Sequence, residues 1–211
     1  VELIRASARG PRPTIAALLL GAATFGGLGG CMSKAVNESA SVPVVPRVEL
    51  QRYMGPWFIV GAIGLGLEKG AHNAVETYTL NPDGTIATVF QYRKDAFDGE
   101  LETKVTRAWV VDGDNAQWKV RTFWPLKQQY LIAHLEPDYS AAIVARERRD
   151  YVWILSRDAR IDEGRYQAYL RRIEAMGYDM SKFSRYPQDG RFPDQGPKIA
   201  RPERASASAA R

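Results

Sequence analysis

From Trp57 onward, apolar and polar residues alternate in short β-rich segments broken by turn formers about every ten residues, the pattern of an all-β sandwich or barrel. The segments are Trp57–Ile63, Ala74–Leu80, Thr85–Arg93, Thr103–Val111, Gln117–Phe123, Gln129–Leu135, Ala141–Ala145 and Tyr151–Ser156. Between them stand turn clusters such as Asn81-Pro82-Asp83-Gly84, Asp98-Gly99, Asp112-Gly113-Asp114-Asn115 and Glu136-Pro137-Asp138. Connections this short leave no room for crossover helices, so neighbouring strands should run antiparallel. Eight of them can close on themselves and remove both sheet edges. The expected fold is all-β: an eight-stranded antiparallel up-and-down β-barrel.

The alternation also separates two faces. Ile86, Thr88, Phe90 and Tyr92 share one side of their strand; Trp118 and Val120 alternate with Lys119 and Arg121; Tyr130, Ile132 and His134 alternate with Leu131, Ala133 and Leu135. Several strands are apolar on both faces, so one face should line an interior and the other receive a helix. That helix is marked by Tyr166, Tyr169, Leu170 and Ile173 at i, i+3, i+4 and i+7, with Asp162 placed to cap it and Gly177 to end it. It should pack outside the barrel. Trp109 falls out of phase with the small, inward Ala108 and reads as exterior.

Charge first points elsewhere. Lys and Arg number 29 against 24 Asp and Glu, a formal +5, which alone would hint at nucleic acid or an anionic membrane. The excess is terminal: residues 1–30 hold Arg5, Arg9 and Arg12 against Glu2, and residues 191–211 hold five cations against two acids. The body is neutral, so no nucleic-acid partner is expected. One cysteine and two histidines (His72, His134) leave no disulfide framework and little material for a metal centre. No metal and no cofactor are expected. The glycines of Gly64–Gly70 superficially suggest a phosphate loop, but a strand follows and no G-K-[S/T] is present. Neither HExxH nor G-x-S-x-G occurs, so the chain should not be an enzyme.

The three leading arginines precede the apolar run Thr14–Leu28, the layout of a secretory signal peptide over residues 1–30. Leu28-Gly29-Gly30-Cys31 resembles the lipobox of bacterial lipoproteins. That resemblance implies acylation of Cys31 and anchoring in outer-membrane lipid, since Met32 rather than an aspartate follows; the plainer alternative is a cleaved signal with an incidental cysteine. Residues 31–47 then form a lipidated cysteine and flexible tether, 48–187 the folded domain, and 188–211 a disordered basic tail.

Three motifs in order carry a further resemblance. Gly55-Pro56-Trp57 matches a G-x-W at the first strand, Asp138-Tyr139 a T-D-Y-like turn with Pro137 for the threonine, and Arg157 an arginine closing the eighth strand. Together with Arg52-Tyr53-Met54 and Asp179–Phe183 they make residues 48–187 resemble the lipocalins, in particular the bacterial outer-membrane, apolipoprotein D-like members. The resemblance implies a barrel closed at one end by Trp57, with Arg157 over its ring, and open at the other under the Gly64–Gly70 loop. It places Tyr78, Phe90, Tyr92, Trp118, Tyr130, His134 and Trp153 on the cavity face. It favours a fatty acid or lysophospholipid as ligand, for storage, transport or envelope maintenance on the periplasmic side of the outer membrane. The alternatives are a core filled by its own side chains, a lipocalin-fold enzyme acting on a lipid or isoprenoid, and a scaffold for an envelope protein. A homodimer is a further partner state left open.

Overall fold

The computed structural model describes residues 41–64, 70–123 and 126–194. The expected signal peptide, Cys31, most of the Gly64–Gly70 loop and the chain beyond 194 lie outside them. The strands are β1 (Gly55–Ile63), β2 (Ala71–Leu80), β3 (Ile86–Lys94), β4 (Leu101–Val110), β5 (Gln117–Phe123), β6 (Leu126–Leu135), β7 (Ala141–Ala145), β8 (Val152–Ser156) and a short β9 (Ser184–Arg185). Each pairs antiparallel with its neighbour, and β1 pairs with both β8 and β2, which closes the sheet into a barrel. The helices are α1 (Leu50–Tyr53) and α2 (Glu163–Ala175).

Period-two patterning produces two apolar layers. Trp57, Ile59, Tyr78, Ile86, Phe90, Trp118, Tyr130 and Leu155 pack inside the barrel. Phe58, Val60, Val75, Leu131, Ile143 and Ile154 point the other way, where Tyr166, Tyr169 and Ile173 of α2 cover them. Burying each such side chain is worth about 1.5–3 kcal/mol, which fixes α2 to the outer wall. Its start is the expected cap, with Asp162 Oδ1 accepting from the Arg165 amide at 3.0 Å, and Gly177 past its end takes φ +85°. Beside it, a Cβ on Gly61 would stand 2.7 Å from the Phe183 ring and 2.8 Å from the Tyr166 hydroxyl. Only glycine lets β1 approach so closely.

Two segments differ from their sequence reading. From Val42 the expected tether is a strap along the barrel: the Val42 amide donates to Glu147 at 3.0 Å, Val45 to the Ile132 carbonyl at 2.9 Å and Val48 to Asp114 at 2.8 Å. Val42 and Val48 are buried, so apolar docking overrides the Ser/Ala/Val/Pro composition that read as flexible. At the other end, residues 188–192 return to the wall. Gln188 donates to the carbonyls of Ile59 and Ala74, Asp189 pairs with Asn73, and Phe192 stacks on Phe58 with centroids 5.3 Å apart.

One junction of the barrel is short. The β4–β5 ladder runs only from Arg107–Arg121 to Val110–Trp118, whereas β3 pairs with β4 as far as Leu101. Among the described residues, Leu101–Thr106 are thus held by ladder pairing on the β3 side alone. Val105 there is 70% exposed.

Candidate functional site

The closed end is built around Trp57. The Arg157 guanidinium lies 3.7 Å from the centre of its ring, the contact the motifs implied. Arg157 also donates to the carbonyls of Pro56 (2.7 Å), Arg52 (2.8 Å), Met54 (2.8 Å) and Tyr53 (3.1 Å), gathering the turn that enters β1. Gly55, at φ +91°, keeps that turn clear: a Cβ there would sit 3.4 Å from Arg157 Nη1. Asp138 accepts from the Ser140 amide at 2.9 Å and fixes the neighbouring turn, in which Tyr139, at φ +61°, lies under the Arg52 guanidinium at 4.0 Å.

Above this plug stands a floor of rings. The Tyr53 and Tyr130 hydroxyls are 2.9 Å apart, and Tyr130 donates to Tyr78 at 2.7 Å. Trp118 stacks on Tyr130, centroids 4.6 Å apart, and its indole N–H donates to the Asn115 carbonyl. The Tyr53 and Tyr130 hydroxyl protons are therefore spent within the floor. Burial, the largest cause, raises the pKa of all three tyrosines well above the ordinary value of 10.0. Below the unfolded-state value the stability linked to them is complete. As pH rises past it the unfolded chain sheds protons that the folded one retains, and stability falls. Alkaline titration should therefore release their tyrosinate absorbance only together with loss of near-UV circular dichroism; ionisation of all ten tyrosines in an intact fold would contradict this floor.

Over the floor lies a cavity of about 440 Å³, within the range of small-molecule pockets. Tyr78, Phe90, Tyr130, Tyr151 and Trp153 form its rings, and Thr88, Thr106, Val120 and Val144 fill the wall between them. Towards the mouth it is polar. Lys104 Nζ stands 5.7 Å from the Phe90 ring centre and 5.5 Å from that of Tyr92. Arg146, nearly buried, donates to the Gln129 carbonyl and to Gln128 and pairs with Asp150 at 3.3 Å. Glu76, also buried, lines the cavity.

Four of the seven rings read as cavity-facing thus line it. Trp118 lies behind Tyr130 in the floor, and Tyr92 packs against Phe90, centroids 5.2 Å apart, without joining the lining. His134 is elsewhere. A bulge in β6 pairs Ile132 with Val144 but His134 with Ile143, so inward parity is lost at Ala133 and His134 turns to the outer wall. There its ring lies 5.7 Å from that of Tyr169 on α2, and Nε2 is 3.1 Å from Glu136 Oε1. Sequence reading missed Lys104, Glu76 and Arg146. The first two had a signal: each is a charge in the inward phase of its strand, beside Thr106 and Tyr78. Trp109 is exterior as read, with Arg121 and Lys127 each 4.7 Å from its ring centre. Among the described residues no three His, Cys, Asp or Glu side chains gather to hold a metal.

Known proteins share this architecture. Temperature-induced lipocalin-1 of Arabidopsis thaliana is 30% identical over 167 residues, covering 75% of this chain and 89% of the plant protein. The outer membrane lipoprotein Blc of Escherichia coli (strain K12) is 30% identical over 151 residues, 71% of this chain and 84% of that protein. Insecticyanin from the tobacco hornworm Manduca sexta superposes with a TM-score of 0.53 over 70% of this chain and 84% of its own, at 12% identity, a likeness of fold alone. The family model of the lipocalin-like domain matches residues 48–188. The closed barrel, its outer helix and these matches together show that the chain belongs to the lipocalin family.

Proposed function

We propose that this lipocalin carries a single-chain acidic amphiphile, a fatty acid or lysophospholipid, with its tail down in the barrel and its head at the mouth. The observation that carries the reading is where the polarity lies. Two of the three floor hydroxyl protons are used inside the floor, in the Tyr53–Tyr130 and Tyr130–Tyr78 bonds, whereas Lys104, Arg146 and Gln128 sit at the entrance. A shaft that is apolar apart from the buried Glu76, with Lys104 and Arg146 towards its opening, orders an amphiphile tail first. Burying ten methylenes at about 0.8 kcal/mol each gives roughly 8 kcal/mol, on the scale of micromolar affinity before association costs. A lipobox-like Cys31 and relatives named outer membrane lipoproteins support acyl anchoring in the outer membrane, facing the periplasm, with a role in lipid storage, transport or envelope maintenance.

Native mass spectrometry of the chain purified from cells should find one fatty acid or lysophospholipid per barrel. Lys104→Met should then weaken a fatty acid about tenfold, the loss of one charge-assisted bond, and leave the matching fatty alcohol unchanged. Equal weakening of acid and alcohol would reject the orientation. Binding of neither by the parent protein would reject the ligand class.

A further inference from the structure

The neutral body is not uniformly neutral on its surface. The register of β3 to β6 sends Arg93, Arg107, Lys119, Arg121 and Lys127 outward, and no outward position of these four strands holds a carboxylate. The carboxylates near this face lie in its turns. Asp83, between β2 and β3, reaches Arg107 at 3.8 Å, Asp112 and Asp114 lie in the β4–β5 turn at the closed end, and Asp95, Asp98 and Glu100 sit in the β3–β4 hairpin at the mouth end.

Within the face, cations stand directly opposite one another. Arg107 pairs across the ladder with Arg121, and Arg121 with Lys127, a row of three like charges over three strands. Such juxtaposition destabilises a sheet unless something opposes it. Trp109 opposes part of it, taking Arg121 and Lys127 against one ring. The remainder faces solvent, and Arg107, Lys119, Arg121 and Lys127 are all exposed. One apolar side chain projects from the same face: Val105, in the outward phase of β4 and 70% exposed. Cations alone would suit any polyanion, but an exposed valine on the same strand as an indole gains only where an anionic surface has an apolar layer beneath it.

We propose that the outer face of β3–β6 is a docking surface for an anionic phospholipid bilayer, with Arg107, Lys119, Arg121 and Lys127 among the lipid phosphates, Trp109 at head-group level, and Val105 directed into the interface. This contact is separate from any acyl anchor and from the barrel's ligand; it requires only the folded body. It lays the flank of the barrel on the membrane, away from the acidic β3–β4 hairpin.

The test uses the full chain with Cys31→Ser, so that no acyl group contributes, and cosedimentation with phosphatidylcholine vesicles made with or without phosphatidylglycerol. The leader and tail are common to every variant, so differences report the face. The parent should bind the vesicles containing phosphatidylglycerol more tightly, and added salt should weaken it. At about fivefold per cation near an anionic leaflet, Lys119→Gln/Arg121→Gln/Lys127→Gln should weaken that binding about a hundredfold. Arg160→Gln/Arg171→Gln/Arg172→Gln, on the far side of the molecule, should leave it unchanged. Unaltered near-UV circular dichroism keeps a loss from being read as unfolding. The proposal fails if the parent ignores phosphatidylglycerol, if the two triple variants behave alike, or if duplex DNA displaces the protein from vesicles, which would make the face a general polyanion site.

Discussion

Arg157→Ala is expected to lower the free energy of unfolding by about 4 kcal/mol, measured by urea denaturation. The guanidinium holds four backbone carbonyls, those of Arg52, Tyr53, Met54 and Pro56, while its flat face covers Trp57. Each bond from a charged donor is worth about 1.5–3 kcal/mol, and the cation–π contact adds about 0.5–2 kcal/mol. The sum exceeds the expected loss because water enters the half-open site and re-solvates part of what is freed. Arg157→Lys separates shape from charge. An ammonium keeps the charge but cannot fork to four carbonyls around a flat ring, so it should recover less than half the loss. A loss below about 1 kcal/mol for the alanine variant would mean that the closed end is held by packing alone.

Val120→Phe/Val144→Trp should weaken ligand binding about a thousandfold, or about 4 kcal/mol, while the barrel still folds. Both valines line the cavity, and Val144 is fully enclosed. Their enlargement directs two rings into the space the acyl chain would occupy. Because that space is open rather than packed, the added bulk should cost no more than about 3 kcal/mol of stability. A fluorescent fatty acid displaced by competitors, followed beside a urea titration, reads both quantities. If the filled variant bound as tightly as the parent, the ligand would sit elsewhere and the cavity reading would fail.

Much of this was legible in the sequence because the signals were local and periodic. Alternation located the eight strands to within a few residues, and the spacing of Tyr166, Tyr169 and Ile173 with Asp162 before them located α2 and its cap. The pairing of Arg157 with Trp57 followed from motif resemblance, not from the pattern itself. What the pattern could not carry was parity after a bulge. One extra residue at Ala133 moved His134 from the cavity to the wall beneath α2, and nothing in Leu131–Leu135 announces it. Depth was equally hidden: Trp118 and Tyr92 face inward, but alternation does not say whether an inward ring lines a void or fills one. The strap at Val42–Val48 and the return at 188–192 were misjudged on composition, because their order comes from distant partners such as Glu147 and Asn73.

The strap also sets a distance. Val42 is fastened at Glu147 in the hairpin between β7 and β8, and that hairpin stands at the mouth. With Cys31 acylated as proposed, the residues between it and Val42 can span no more than about 40 Å. A barrel so tethered samples a thin shell of volume beside the bilayer, where the effective concentration of lipid surface is on the order of millimolar or higher. At that concentration an individually weak contact through the flank is occupied most of the time, and a ligand leaving the barrel meets membrane before it meets bulk water.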